Sequence, residues 1–266
     1  MTFKRLIFTL LYDDGFVLSR NFRLQRVGDL RWLRENYNFA RIGFSIDELI
    51  VLNVSRSSAS SAHFQDVVAA LNDECFAPIA AGGWISSVDD ARRFLGSGAD
   101  KVVLNTLIAT NEAAVERIAR EFGAQCIVAS IDLVRSAGSL KVAIDRGRIH
   151  LDQDPLSYLR HVSSMPIGEI YVNSIDRDGT GDGYDEDLLR LLDSPLAIPM
   201  IIAGGVGTPS HLSRGLAHHG VDAVATAHLH NFVGDGLERA RIELRDAGHD
   251  LPVFSYEEAM ALRAQR

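Results

Sequence analysis

APIAAGGW at residues 77–84 and IPMIIAGGV at residues 198–206 are two versions of one phrase. Each is a short apolar run closed by a glycine pair, and Gly82-Gly83 and Gly204-Gly205 lie 122 positions apart. GADKVV (98–103) and GVDAVA (220–225) repeat at the same offset. Continuous apolar runs suit strands buried on both faces, as in a parallel sheet. Further runs near 5–11, 48–53, 101–104, 126–131, 169–173 and 222–226 bring the number to eight with those at 77–81 and 199–203. Amphipathic segments such as RWLRENYNFARI, AHFQDVVAALND and NEAAVERIAREFG fall between them. Eight strand–helix units in 266 residues predict an α/β fold, a single-domain (β/α)8 TIM barrel, which typically takes about 250 residues. An open doubly wound sheet is the alternative. In a closed barrel the offset sets the two copies on opposite sides of the axis, so two quasi-equivalent sites face each other.

The barrel is read over residues 1–250, with a C-terminal tail at 251–266. SLKVAIDRGRIHL (139–151) alternates and turns at Arg146-Gly147, which predicts a hairpin inserted after strand five.

The formal charge is −8, and basic residues are spread without a run, which argues against a nucleic-acid or anionic-membrane partner. Apolar runs fall short of the ~18 residues of a membrane span. The first run is closed by Asp13-Asp14-Gly15 and is too short for a signal peptide. A cytoplasmic location is expected. Cys75 and Cys126 lie in apolar surroundings without Cys-x-x-Cys spacing, so neither a disulfide nor zinc is expected. His228-x-His230 lacks an accompanying carboxylate or Cys at ligand spacing, and no metal or cofactor is expected.

A glycine pair after a strand lets backbone N–H groups approach a phosphate, and a following helix N-terminus adds favourable partial charge. Gly204-Gly205 with Thr226-Ala227 on the next strand, and Gly82-Gly83 with Asn105-Thr106, fit this chemistry, as they also fit plain tight turns. Gly179 in the strand-six loop joins the phosphate-site candidates. Trp84 follows the first pair, and its indole either fills the phosphate space or turns outward as packing. Asp132 at the end of strand five and Asp178 after strand six are the acid/base candidates; the other reading of each is turn chemistry. Strand one ends in Leu10-Leu11-Tyr12, with no acid, base or nucleophile.

GADKVVLNT, YVNSIDRDGTGDGYD, IDELIVLN and PMIIAGGVG resemble, in order and spacing, the cyclase subunit of imidazole glycerol phosphate synthase, over about residues 5–232. The resemblance implies a glutaminase partner whose ammonia travels along the barrel axis to a phosphorylated acceptor. It implies catalytic roles for Asp132 and Asp178, and phosphate contacts from Asn105-Thr106 and both glycine pairs. It also implies an ammonia gate of Arg5, Glu48, Lys101 and Glu169, and a glutaminase contact at Asp100. The family's first-strand Asp is Leu11 here, its nearby Lys is Ser19, its strand-two Asp is Asn53, and the third glycine of a Gly-Gly-Gly loop is Trp84. A strand-six Thr is Asn173 and a strand-seven Ser is Ala203. An intake kept while the mouth loses its acid resembles the paralogous branch associated with bacterial surface-polysaccharide biosynthesis. That branch shares the Leu-Leu ending of strand one and Val27-Gly28-Asp29. The expected function is an ammonia-channelling subunit of a class I glutamine amidotransferase complex, with a third, sugar-modifying amidotransferase subunit as a further partner. The alternatives are a genuine cyclase subunit and a non-catalytic activator of a glutaminase.

Overall fold

The computed structural model describes residues 3–37, 39–56, 61–194, 196–228 and 230–255. Strand β1 (Arg5–Tyr12) is followed by β2 (Phe16–Arg20) and β3 (Arg23–Gly28), then by β4 (Glu48–Asn53), β5 (Ile79–Gly82), β6 (Lys101–Leu104) and β7 (Ile127–Ser136). Next come β8 (Ser139–Ile144), β9 (Ile149–His150), β10 (Glu169–Ser174), β11 (Met200–Ala203) and β12 (Ala223–Thr226). Strands β1, β4, β5, β6, β7, β10, β11 and β12 pair in parallel in that order. β12 returns to β1 with Ala223 opposite Arg5, which closes the (β/α)8 TIM barrel.

The helices wrap the outside: α1 (Leu30–Asn36), α2 (Phe39–Ile42), α3 (Ser61–Glu74), α4 (Val88–Gly96), α5 (Thr106–Thr110), α6 (Glu112–Phe122), α7 (Pro155–Ser163), α8 (Glu186–Leu191), α9 (Pro209–Ala217) and α10 (Gly236–Asp246). Their starts are written in the sequence. Asp29, Ser87, Asn111, Asp154, Asp185 and Thr208 each cap the following helix by accepting a backbone N–H, and Pro155 and Pro209 occupy first turns. RWLRENYNFARI, which reads as one helix, is two short ones. Tyr37 leaves the helix with φ −121° and ψ 129°, and its buried backbone bridges to Gly234.

The core has two parts. Outward-facing strand residues such as Leu6, Leu49, Val102 and Ile202 pack against helix residues such as Phe64, Phe94, Val115 and Leu212. A separate inner cluster of Ile7, Ile50, Ala80, Val103, Val128, Tyr171, Ile201, Ala203, Ala223 and Ala225 fills the barrel. Four of these ten are alanine, whereas barrel interiors usually favour bulky branched side chains.

Two hairpins stand on the C-terminal rim. β2 reverses from β1 after Asp13-Asp14-Gly15, with Leu11 opposite Val17, and pairs antiparallel with β3. β7 runs on to Ser136 because its end pairs antiparallel with β8, and β8 pairs with β9 across the turn that carries Arg146. At the other end, Arg241 ties the chain after α10 to the barrel, donating to both oxygens of Asp47 at 2.9 Å and to Pro252 O at 2.5 Å. Residues 256–266 of the tail lie outside the described residues.

Candidate active site and axial charge ring

Side chains alternate across a strand, so Arg5, Ile7, Thr9 and Leu11 share the face of β1 that looks into the barrel. Glu48 and Ile50 of β4, Lys101 and Val103 of β6, and Glu169 and Tyr171 of β10 stand in the same relation. The first member of each set meets the others at the N-terminal end of the axis. Arg5 Nη1 donates to Glu48 Oε2 at 3.1 Å and Nη2 to Glu169 Oε2 at 2.5 Å. Lys101 Nζ donates to Glu48 Oε2 at 2.8 Å and to Glu169 Oε1. The four groups thus form a closed ring of alternating sign. Both carboxylates are buried, and the two cations are about a fifth to a quarter exposed at the side chain.

The two carboxylates are not equivalent. Glu169 receives a donor on each oxygen; burial pushes its pKa up, but Arg5 and Lys101 together outweigh that and hold it below the usual range. Glu48 has both donors on Oε2, and its buried Oε1 has no partner among the described residues. Burial therefore wins there and raises its pKa, against the pull of Lys101.

Beyond the ring the barrel interior is filled by the apolar inner cluster, with the buried Thr9 hydroxyl beside Tyr171. At the C-terminal end stand Leu11 of β1 and Asp132 of β7. Asp132 is buried, receives Asn105 Nδ2 at 3.0 Å and Asn173 Nδ2 at 3.2 Å, and faces Asn173 in the β7–β10 register. Burial raises its pKa to about 7, helped by the negative Asp178 and opposed by the two amides. A carboxyl poised there exchanges protons at neutral pH. Asp178 sits beneath the β2–β3 hairpin. Its Oδ2 accepts the Ser19 hydroxyl, and Phe22 N at 3.3 Å, while Asn21 N donates to its carbonyl at 2.9 Å. Burial raises its pKa, with Ser19 and Phe22 opposing.

A cavity of about 250 Å³ opens beside Asp178. Gly179, Gly204, Gly205, Thr226 and Ala227 line it, as do Ser19, Arg20 and Arg23 of the hairpin, with Asn173, His228 and His230. Neither Arg20 nor Arg23 has a carboxylate partner among the described residues, so positive charge faces this space. Gly82, Gly83, Asn105, Thr106 and Asp132 are not in its lining. The two glycine-pair sites are therefore unlike. Both pairs are also demanded by packing: a Cβ on Gly83 would meet Asn53 O at 2.3 Å, and one on Gly205 would meet Gly183 O at 2.1 Å. Trp84 lies half-exposed on the rim, its Nε1 donating to Ser55 O at 3.1 Å, with the Arg146 guanidinium 4.9 Å over its ring.

Asp100 is exposed and accepts Ile79 N at 2.8 Å. Asp222, its counterpart in the repeat, accepts Met200 N at 2.9 Å, so this position ties one strand to the next in both halves. Asp193, His218 and His219 bring potential ligand atoms within 4.8 Å on the outer surface. His218 already engages Asp193 through Nε2 and Gly220 N through Nδ1. Sequence reading missed Arg20 and Arg23. Their signal was the turn Asn21-Phe22 between two short runs, FVLSR and RLQRVG.

The family described as "Histidine biosynthesis protein" matches residues 35–232. A protein of Parasynechococcus marenigrum, provisionally named imidazole glycerol phosphate synthase subunit hisF2, is 46% identical over 242 residues, 91% of this chain and 90% of the relative. The imidazole glycerol phosphate synthase subunit HisF of Micrococcus luteus is 36% identical over 253 residues, 92% of this chain and 97% of the relative. Among the described residues no helix is long and apolar enough to cross a membrane. With the closed barrel, the axial ring and these similarities over nine-tenths of its length, the chain belongs to the histidine biosynthesis protein family, as a relative of its HisF subunits.

Proposed function

We propose that the chain is an ammonia-conducting barrel that works with a class I glutaminase and delivers nitrogen to a phosphorylated acceptor derived from a sugar or nucleotide. The observation that carries this reading is the axial sequence of parts: a ring of paired charges with no net charge, an inner cluster rich in small alanine side chains, and a polar mouth. Arg5, Glu48, Lys101 and Glu169 close the bore to ions, because a hydrated charge entering the apolar stretch would lose its water without gaining a partner. Uncharged ammonia is small enough to follow an alanine-lined path and can trade hydrogen bonds with the ring. At the mouth Asp132 takes the proton that the attacking nitrogen sheds as its bond to an electrophilic carbon forms. Asp178, held by Ser19, orders the hairpin over the acceptor. Gly204, Gly205 and Thr226 offer backbone and hydroxyl contacts to a phosphate beside the positive hairpin.

Leu11 is the reason to set the acceptor apart from that of a cyclase. A general acid or base contributes roughly 10²–10⁴ in rate, equivalent to about 3–5 kcal/mol, and an isobutyl group supplies none of it. The surface-polysaccharide branch, with a sugar-modifying amidotransferase as third subunit, is the assignment that suits an intake joined to an altered mouth. A genuine cyclase subunit is the second reading, favoured by the pKa of Asp132 near neutrality and by the HisF names of the relatives. The test is glutamine hydrolysis by the co-encoded glutaminase with and without this subunit, on wild type and Asp100→Ala. Stimulation that weakens in the variant is expected. No complex and no change in hydrolysis would remove the ammonia role.

A further inference from the structure

We propose that the mouth accepts ligands bearing a single anionic group, and that Trp84 and Arg146 set this limit. The inference rests on the acceptor-site reading above and narrows it to a substrate class. It starts from the repeat. One hairpin, β2–β3, follows β1 and lies on the loop after β10; the other, β8–β9, follows β7 and lies on the loop after β4. In the first half-mouth Ser19 holds Asp178, and Asn21 Nδ2 donates to Ile175 O at 3.1 Å and Asp176 O at 2.7 Å. In the second, Arg146 Nη1 donates to Ser55 O at 3.0 Å and Asp145 N to Thr106 Oγ1 at 3.2 Å.

The halves part company at the residue after the glycine pair, which is the buried Val206 in one and Trp84 in the other. Trp84 has φ +61°, the left-handed region that a bulky residue rarely occupies. Such a conformation persists where surrounding contacts over-determine it, and such sites cluster where function is served. Here the contacts are the indole N–H on Ser55 O and the stacked Arg146 guanidinium, which is itself bonded to the same carbonyl. Thr106 is engaged by the hairpin, and Asn105 is spent on Ser130 O and Asp132. The polar side chains of this half are therefore engaged by the chain itself. In the opposite half Arg20 and Arg23 face the cavity without a carboxylate partner, and about 250 Å³ sits just under the ~300–1,000 Å³ of ordinary small-molecule pockets. One phosphate with a compact organic body satisfies the open half; a second phosphate across the mouth would have to displace the indole.

The experiment is calorimetric titration with inorganic phosphate, ribose 5-phosphate and ribulose 1,5-bisphosphate, on wild type, Trp84→Gly and Arg146→Ala. Glycine is at ease at φ +61°, and Arg146→Ala leaves the backbone untouched should the first variant fold poorly. Wild type is expected to bind one inorganic phosphate per chain and the two sugar phosphates within threefold of each other. At least one variant is expected to prefer the bisphosphate by tenfold or more. A tenfold bisphosphate preference in wild type, two phosphates per wild-type chain, no binding by wild type, or unchanged preference in both variants would overturn the proposal. No step involves glutaminase or ammonia, so loss of glutaminase coupling and loss of the single-anion rule are separately visible.

Discussion

Replacing Asp132 with Asn should make the protein more stable at pH 8 while leaving it close to wild type at pH 4. Asp132 carries its proton up to about pH 7 in the folded barrel, against an ordinary value of 3.8. Between these two values the folded chain binds one proton more than the unfolded chain, so wild-type stability falls as pH rises. The slope is about 1.4 kcal/mol per pH unit, and about three units of separation give a loss of about 4 kcal/mol, complete above pH 7. Asn cannot ionise and escapes that loss. It keeps an oxygen for one amide but turns an N–H toward the other, Asn105 or Asn173, which costs about 1 kcal/mol at every pH. The stability difference should therefore move from roughly −1 kcal/mol at pH 4 to about +3 kcal/mol at pH 8. Asp178 titrates in both proteins and cancels to first order. Urea unfolding at half-unit pH steps on both proteins measures the difference directly. A difference flat between pH 4 and 8, or a variant less stable at pH 8, would refute the assignment of a neutral carboxyl at the mouth. Nitrogen transfer should fall in the same variant, because the amide cannot take a proton.

Lys101→Ala leaves Glu48 and Glu169 sharing Arg5 alone; breaking a buried pair costs about 3–5 kcal/mol, and with Lys101 partly exposed the lower figure applies, so the melting temperature should drop by roughly 6–12 °C. The same variant should uncouple glutamine hydrolysis from nitrogen transfer, and unchanged coupling would count against the ring as an intake. Gly179→Ala would place a Cβ 1.8 Å from Ser19 O at φ +67°, prising the β2–β3 hairpin off the strand-six loop. Faster proteolysis near residues 20–23 is the expected result, and an unchanged cleavage rate would show that the hairpin is held elsewhere. Leu11→Asp alone should leave turnover of the histidine-pathway intermediate more than tenfold below that of an ordinary cyclase, because groups acting as a unit are non-additive; a family-like rate in either the variant or wild type would restore the cyclase reading.

The barrel was legible because each of its strands is a continuous apolar run buried on both faces, and hydrophobic patterning registers that directly. The β2–β3 hairpin escaped because β3 buries almost nothing: RLQRVG mixes exposed and half-buried positions in no regular order, so no apolar period marks it. The short α5 escaped for want of length, and Tyr37 broke α1 from α2 through a backbone bridge to Gly234, some two hundred residues away in the chain. Within the site, Asp132 was named from its place at a strand end, but its raised pKa comes from burial that only the closed barrel provides, opposed by Asn173 of β10 and by Asn105 just after β6. The unlikeness of the two glycine-pair sites was half visible, since Trp84 stood in the sequence as an open question. Arg146 could not be paired with it from the sequence, because it reaches Trp84 and Ser55 only once the hairpin folds back.

Arg5 pairs across 43 residues with Glu48 and across 164 with Glu169, and its own strand is zipped to β12 with Arg5 opposite Ala223. Contacts of such separation come late in folding, since the loop entropy must be overcome before they yield anything. Until β12 arrives, β1 is an open edge, and the strand that carries Arg5 is paired within the barrel on one side only. Closure of the barrel thus fixes from both sides the strand that presents Arg5 to the two glutamates. The ring's charges stand on β1, β4, β6 and β10, so β12 adds none of its own and acts on the ring only by holding β1 in place from its other side.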